Sequence, residues 1–386
     1  EIGVRLVGSE MCIRDRNIGA GRPGVAYQAR QLGLVFNAAL GVIMSLFLSL
    51  GAGTILSGVG VADALMQPAK TYLQIVGGFC ILNALIPICS SYLRAFGFSK
   101  EPLYASIIGN VINFCLNAFF LFVLHKGVAG VATATVISRI INLVIVVLLG
   151  AVLVKAKQHP ERESNRAVMG QIIRIGLPSA CETAIYNVSM TLVIRFLNQM
   201  DAQGLNVTAR SYTMQITNFS YCVGAALAQA NAIMTGWHIG AKEYDACDRG
   251  TKKAAVIGVI VAVILETVFT LCSGWIMQLF SKDPQMVSLV GKLLAIDIVL
   301  EIGRVTNLVY GQALKTSGDA VFPVVMGACF MILCSVGGTY LFGIRLGLLA
   351  VGAYIGMTGD ECVRAVGMYL RWKSGKWKEK GLVKSR

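Results

Sequence analysis

Apolar residues run along this chain in long blocks, not in alternation. The blocks are Gly33–Ser57, Tyr72–Arg94, Tyr104–Leu124, Val131–Val154, Pro178–Gln199, Ala209–Gly236, Ala254–Phe280, Met286–Leu314, Val321–Phe342 and Gly347–Leu370, separated by short polar stretches. A hydrocarbon core of about 30 Å is crossed by about 20 residues of helix. Each block therefore predicts one spanning helix, and the chain an all-α polytopic membrane protein of about ten spans. No block alternates with a period of two, and open strand edges facing lipid would leave backbone groups unsatisfied.

Composition agrees: 55% of the residues are hydrophobic and 14% charged, far from a soluble average. The net charge of +14 could suggest nucleic acid, but no basic patch interleaved with aromatics is present. The bases gather instead in alternate loops. One set holds Arg22 and Arg30, then Lys100, then Lys155, Lys157, Arg162, Arg166 and Arg174, then Lys242, Arg249, Lys252 and Lys253, then Lys315, then the tail from Arg371. The other set has little beyond Lys70, Lys126, Arg210, Lys282 and Arg345. Because positively charged loops stay inside, both termini are expected in the cytoplasm and the protein in the cell (inner) membrane. Most of the eleven cysteines, among them Cys80, Cys89, Cys115, Cys222, Cys272, Cys329 and Cys334, lie within apolar blocks without metal-ligand spacing. They read as small buried hydrophobes, and neither a metal nor a cofactor is expected.

Residues 1–16 read as a non-native leader: they fit neither a signal peptide nor an amphipathic helix, and SEMCIRDR resembles a translated sequencing adapter. The polar stretch 155–177, with His159-Pro160, reads as a cytoplasmic linker between an N-terminal bundle, 17–154, and a C-terminal bundle, 178–370, followed by a basic tail, 371–386. The two bundles repeat. Ile18-Gly19-Ala20 returns as Ile239-Gly240-Ala241, an offset of 239 − 18 = 221. Leu93-Arg94, Gly97 and Pro102 return at the same offset as Leu314-Lys315, Gly318 and Pro323. The blocks Pro178–Gln199 and Ala209–Gly236 have no counterpart in the first bundle, so two helices are expected to be missing from its start. The intact protein would then hold two six-helix bundles. An even number of helices per bundle gives a parallel repeat, with a pseudo-two-fold along the membrane normal.

From residue 17 onward the chain resembles the multidrug and toxic compound extrusion (MATE) family, on the stretches NIGAGRPGVAYQAR, YLRAFGFSKEP, KGVAGVATATVIS, IGLPSACE, ALAQANAIMTGWHIGAKEYDA, ALKTSGDAVFP and DECVRAVGMYLRW. The resemblance implies a V-shaped pair of six-helix bundles around a central cavity. It also implies alternating access driven by H⁺ or Na⁺ and export of small organic cations. The family's first helix, which in many members carries an acidic cation-site residue, is absent here. Glu182 follows Pro178 more closely than in some members.

An ionisable side chain at mid-bilayer costs about 2.5–3.5 kcal/mol, which makes such residues functional candidates. All the acids within the blocks lie in the second half: Glu182, Glu266, Asp297, Glu301, Asp360 and Glu361. The first half offers Asn83, Asn110, Asn113, Asn117 and Arg139 instead. Asp297, Glu301 and Arg304 are spaced to share one helix face, as are Asp360 and Arg364. Helix-rise counting puts Glu182, Asp297, Glu301, Asp360 and Glu361 in one layer and Glu266 apart, on the outer side. A surplus of acid there could bind H⁺, Na⁺ or a cationic substrate. The plainer reading makes Glu301, Arg304, Asp360 and Arg364, with Glu361 beside them, a charge network bracing two helices. That reading leaves Asp297, Glu182 and Glu361 unpaired, and the first two are the cation-coupling candidates. Tyr186, Met190, Tyr212, Met214 and Tyr221 could line a cavity for an organic cation, although packing explains each one singly.

No loop pairs acids or metal ligands as a membrane enzyme would, so no enzymatic activity is expected. A flippase of lipid-linked oligosaccharide in a related fold is the alternative to a drug exporter; it would display several bases in its cavity. A channel or scaffold is a further reading. The expected partners are a small organic cation and the lipid bilayer, with the protein a monomer.

Overall fold

The computed structural model describes residues 2–59, 63–154, 162–201 and 204–380. The His159-Pro160 stretch of the linker and the end of the tail, 381–386, lie outside the described residues. Among the described residues all regular structure is helical. The chain divides into two units, Glu1–Gly176 and Leu177–Arg386.

The first unit holds α1 (Ile2–Gly19), α2 (Pro23–Leu50), α3 (Ala52–Val59), α4 (Asp63–Gly78), α5 (Ile81–Ala95), α6 (Lys100–Ala118), α7 (Gly127–Leu153) and the start of α8 (Asn165–Met200). Its core joins Cys89, Tyr92, Leu93, Ala105 and Val146, with Tyr27, Leu34 and Phe96 at the edge. Block Tyr72–Arg94 is not one helix: α4 and α5 meet at a 40° bend beside Gly77-Gly78, and Pro87 lies inside α5.

Two boundary expectations are corrected. The leader does not stand outside the fold but forms α1 against α2 and α5. Its buried Arg14 compensates buried acids, at 3.2 Å from Glu10 and 3.0 Å from Asp15. The linker does not extend to residue 177, because α8 begins at Asn165 and carries Pro178 in its interior. Val168, Ile172 and Ile175 are buried at helical spacing along that first stretch. Just before it, Arg22 pairs with Glu163 at 2.6 Å and the Gln28 amide donates to the Glu163 carbonyl at 2.7 Å. These contacts tie the end of the linker to the first unit.

The second unit holds the rest of α8, α9 (Leu205–Gly240), α10 (Tyr244–Leu271), α11 (Ser273–Met277), α12 (Pro284–Ser317), α13 (Val321–Phe330) and α14 (Leu349–Lys373). Block Val321–Phe342 continues past α13 as π-helical turns, Met331–Val336 and Thr339–Arg345. Asp283 caps α12 by accepting from Gln285 N at 3.0 Å, with Pro284 at the first helical position. The tail does not leave the bundle at residue 371. Beyond α14, a 3-10 turn, Lys376–Lys380, buries Trp377 on Trp372, with ring centroids 4.2 Å apart.

α12 is the axis of this unit, packed along α9, α10 and α14. Its apolar residues join two clusters. Leu293, Leu294 and Leu300 meet Val193, Leu197 and Tyr354 in one; Val305, Val309 and Leu314 meet Ala262, Met368 and Trp372 in the other. The acids Asp297 and Glu301 lie where the clusters meet. The cysteine reading is corrected in part: Cys89 is buried, whereas Cys115, Cys222, Cys272 and Cys329 are exposed, and none of the eleven forms a disulfide.

The approach of α12 to α14 depends on Gly303, where a Cβ would stand 2.8 Å from the backbone nitrogen of Cys362. Gly359, also within α14, has open space around its Cα. Gly303→Ala is therefore expected to destabilise the protein by about 1–3 kcal/mol through overpacking. Gly359→Ala should be neutral or mildly stabilising. Thermal unfolding in detergent compares the two, and equal melting temperatures would contradict the close approach.

Candidate functional site

The site grows from α12. Asp297, Glu301 and Arg304 follow one another along one helix face, and both carboxylates are buried, at 2% and 0% exposure. Arg304 donates to Glu301 and reaches Glu361 of α14, 3.9 Å away. On α14, Arg364 holds Asp360 through two bonds of 2.8 Å and Glu361 through a contact of 2.9 Å. Ser335 donates to Asp360 at 3.0 Å, and Asn307 of α12 donates to Glu361 at 3.0 Å. Every member of this brace has a named partner, as buried charge requires.

Glu266 of α10 is the correction that changes the site. It does not stand apart. Its carboxylate and those of Asp297 and Glu301 offer oxygens within 4.8 Å of one another, all three residues being buried. The cause is the antiparallel register of α10 and α12. Gly258 faces Val305 and Gly291 faces Ser273, pairs whose residue numbers add to 563 and 564. Glu266 is thereby level with Asp297. Helix-rise counting misplaced it because depth along one helix does not fix a residue's level against a neighbour: Glu266 lies five residues before the end of α10 and Asp297 thirteen after the start of α12, yet the register sets them side by side. The polar break Cys272-Ser273-Gly274 marks the end of α10 in the sequence, but the pairing with α12 has no local sequence signal.

Both Glu266 oxygens, Asp297 Oδ2 and Glu301 Oε2 are buried without a hydrogen-bond partner. Two unit charges about 5 Å apart repel by about 3 kcal/mol at an effective dielectric of about 20. Among the described residues Arg304 is the guanidinium that contacts the three carboxylates, through Glu301, and the arrangement has the chemistry to hold a cation. Oxygen-only donors suit H⁺ or a hard metal ion such as Na⁺.

Glu182 is corrected as well: it is not unpaired, for its carboxylate accepts from Lys315 Nζ at 2.6 Å. Lys315 counted as a loop base in the sequence, yet it sits in the last turn of α12 and is only 8% exposed. Of the aromatic and Met candidates, Tyr221 lies under Arg304, 5.9 Å from its ring centre, and Tyr186 neighbours Arg304, Glu361 and Tyr221. Met190 accepts from Arg210 at 3.7 Å, and Tyr212 packs on Phe280 at 5.4 Å, so both belong to the apolar cluster. Met214 is exposed.

The MatE family model matches residues 15–119 and 178–341. The chain is 32% identical to the "Uncharacterized transporter YisQ" of Bacillus subtilis, over 95% of this chain and 81% of that protein. It is 22% identical to the "Probable multidrug resistance protein NorM" of Thermotoga maritima, over 88% and 76% of the two chains. Among solved structures, a multidrug resistance MATE family transporter of the MOP superfamily in an outward-facing conformation superposes with a TM-score of 0.88 at 17% identity, covering 98% of this chain and 85% of that one. The chain belongs to the MatE family: it is a multi-pass membrane transporter and not an enzyme.

The Glu182–Lys315 pair generates its own test. Glu182→Met or Lys315→Met alone strands a mostly buried charge and should cost about 3–5 kcal/mol. The double substitution should recover most of that loss. Thermal unfolding of the three variants in detergent checks the cycle, and additive losses would contradict the pairing.

Proposed function

We propose that this transporter exports small organic cations in exchange for H⁺ or Na⁺ by alternating access. The observation that carries the reading is the buried cluster Glu266, Asp297 and Glu301, with more negative charge than its neighbours compensate. Family membership supports it, as does the multidrug resistance named for the Thermotoga maritima relative. A coupling cation and a cationic substrate favour the same negative charge. Occupancy by one weakens the hold on the other, which is the linkage an exchanger needs. The predominance of acids here speaks against the oligosaccharide flippase.

The proposal includes ten spans, both termini in the cytoplasm of a cell whose inner membrane holds the protein, and a monomer. Among the described residues five helices are long and apolar enough to cross, or six with α4–α5 as one bent span. α8, α9, α12 and α14 have the length, with polar and charged residues inside that dilute their apolar character.

A parallel repeat of two bundles, 17–154 and 178–370, is also part of the reading. At the offset of 221, Gly97 and Gly318 both take positive φ, +87° and +98°, as do Gly21 and Lys242, +69° and +62°. The π-helical turns Phe119–Val123 and Thr339–Arg345 correspond as well. A side-chain contact follows the same rule. Asn83 meets Arg139 across α5 and α7, and the counterpart of Asn83, Arg304, meets Glu361 across α12 and α14, next to Asp360, the counterpart of Arg139.

Efflux of a fluorescent organic cation from vesicles, with pH and sodium gradients imposed separately, tests the function. Asp297→Asn and Glu266→Gln are each expected to abolish gradient-driven export while leaving the protein folded. Glu301→Gln is expected to lower stability, because Arg304 loses its nearest partner. Export by Asp297→Asn at the wild-type rate would remove the cluster from the coupling mechanism.

A further inference from the structure

The start of α10 carries a feature that cation export does not use. An open cavity of about 530 Å³ lies there, and its lining includes Lys242, Glu243, Tyr244, Asp245, Arg249 and Lys378. The three bases come from three separate segments: the turn between α9 and α10, the second turn of α10, and the 3-10 turn that follows α14.

The tail turn is docked, so Lys378 is held at this cavity. Trp377 beside it is 2% exposed, stacks on Trp372 and donates from Nε1 to the Trp372 carbonyl at 3.0 Å. Its ring also meets Tyr244 edge-on, with centroids 5.9 Å apart, which closes the tail onto the start of α10. The Lys378 ammonium stands 5.7 Å from the centre of the Trp377 ring.

The nearby acids do not cancel the bases. Three lining bases stand against two lining acids, and one of those, Glu243, is turned to His238 Nδ1 at 2.8 Å. Asp248, next to Arg249, is engaged away from it: it pairs with Lys252 at 2.6 Å and accepts from Trp372 Nε1 at 2.9 Å.

Beyond the cavity the same side of α10 becomes apolar. Arg249 lies seven residues, or two turns, before Val256, and Lys253 seven before Ile260. Val256, Ile260 and Ile264 are 59%, 53% and 57% exposed, on a helix long and apolar enough to cross a membrane. One stripe of α10 therefore passes from basic to hydrocarbon-facing within about one turn.

We propose that this cavity binds the phosphate headgroup of an anionic phospholipid, whose acyl chains lie along Val256, Ile260 and Ile264 of α10. Arg249 supplies a planar fork of donors for phosphate oxygens, and Lys242 and Lys378 add point charges from either side. A soluble phosphate satisfies the bases but leaves the apolar continuation unused; a lipid uses both, as basic pockets at the ends of spanning helices do. The bound lipid ties the α9–α10 turn to the tail turn. On the orientation proposed above it belongs to the cytoplasmic leaflet, although the site itself does not depend on that orientation or on the export reading.

Thermal unfolding of the purified protein in detergent tests this, titrated with dioleoyl phosphatidylglycerol, dioleoyl phosphatidylcholine or inorganic phosphate, while native mass spectrometry counts the lipids retained. Phosphatidylglycerol is expected to raise the melting temperature saturably, with a single molecule retained, at a half-saturating concentration about tenfold below that of phosphatidylcholine. Arg249→Ala and Lys378→Ala, both at exposed positions, should each weaken that response about three- to tenfold, and the double variant should abolish the preference for phosphatidylglycerol. Lys376→Ala removes an exposed base of the same turn that does not line the cavity, and should leave the response unchanged. Equal responses to the two lipids, uptake of many lipids without saturation, or a loss in Lys376→Ala as large as in Lys378→Ala would overturn the proposal. A response to inorganic phosphate as strong as that to phosphatidylglycerol would overturn the lipid assignment in favour of a soluble anion.

Discussion

Three carboxylates enclosed by hydrocarbon set the terms for the second unit. Glu266, Asp297 and Glu301 bring oxygens within 4.8 Å of one another where two apolar clusters meet on α12. Such a group is tolerable only if a cation, Arg304 or something from outside, offsets its charge. Arg304 does so for Glu301 and also reaches toward Glu361, so its single charge is divided. What remains on Glu266 and Asp297 is the part of the unit that the protein itself leaves unbalanced.

The surrounding construction keeps that imbalance from relaxing. Bidentate pairing of Arg364 with Asp360 joins adjacent turns of α14, Ser335 adds a second donor to Asp360 Oδ2, and Asn307 of α12 holds Glu361 Oε2. Gly303 lets the α12 and α14 backbones approach closely enough for Arg304 to lie near Glu361. Glu182 with Lys315, and Asp319 with Arg371 at 2.7 Å, are further ion pairs that consume their own charge. With these neighbours paired among the described residues, the cluster keeps a surplus of acid, which the proposed reading assigns to an incoming cation.

Much of this was legible in the sequence, and the failures have physical causes. Block length announced the long helices, because hydrophobic thickness constrains them. The four- and three-residue steps from Asp297 to Glu301 to Arg304 announced a shared face, because helical period is fixed. α8 was cut short because its first turns carry Arg166, Arg174 and other polar residues that hide the Val168, Ile172 and Ile175 stripe. The Glu182–Lys315 pair was hidden by a separation of 133 residues, which no local rule spans. Glu266 was misplaced because depth along its own helix says nothing of its level against α12, and only the register between the two helices sets it beside Asp297.

Charge is divided unevenly between the two units, and that division bears on how an exchanger could work. In the described network of the second unit, five acids (Glu266, Asp297, Glu301, Asp360 and Glu361) face two guanidinium groups, Arg304 and Arg364, a formal balance of −3. The inward face of α7 in the first unit carries Arg139 with a neutral amide for company. On the proposed reading, a cation loaded at Glu266, Asp297 and Glu301 removes repulsion between groups that are otherwise fixed in the second unit. If coupling ion and substrate are to be exchanged and not carried together, their competition has to be settled at the second unit's acids, while any group that recognises only the substrate is free to sit elsewhere.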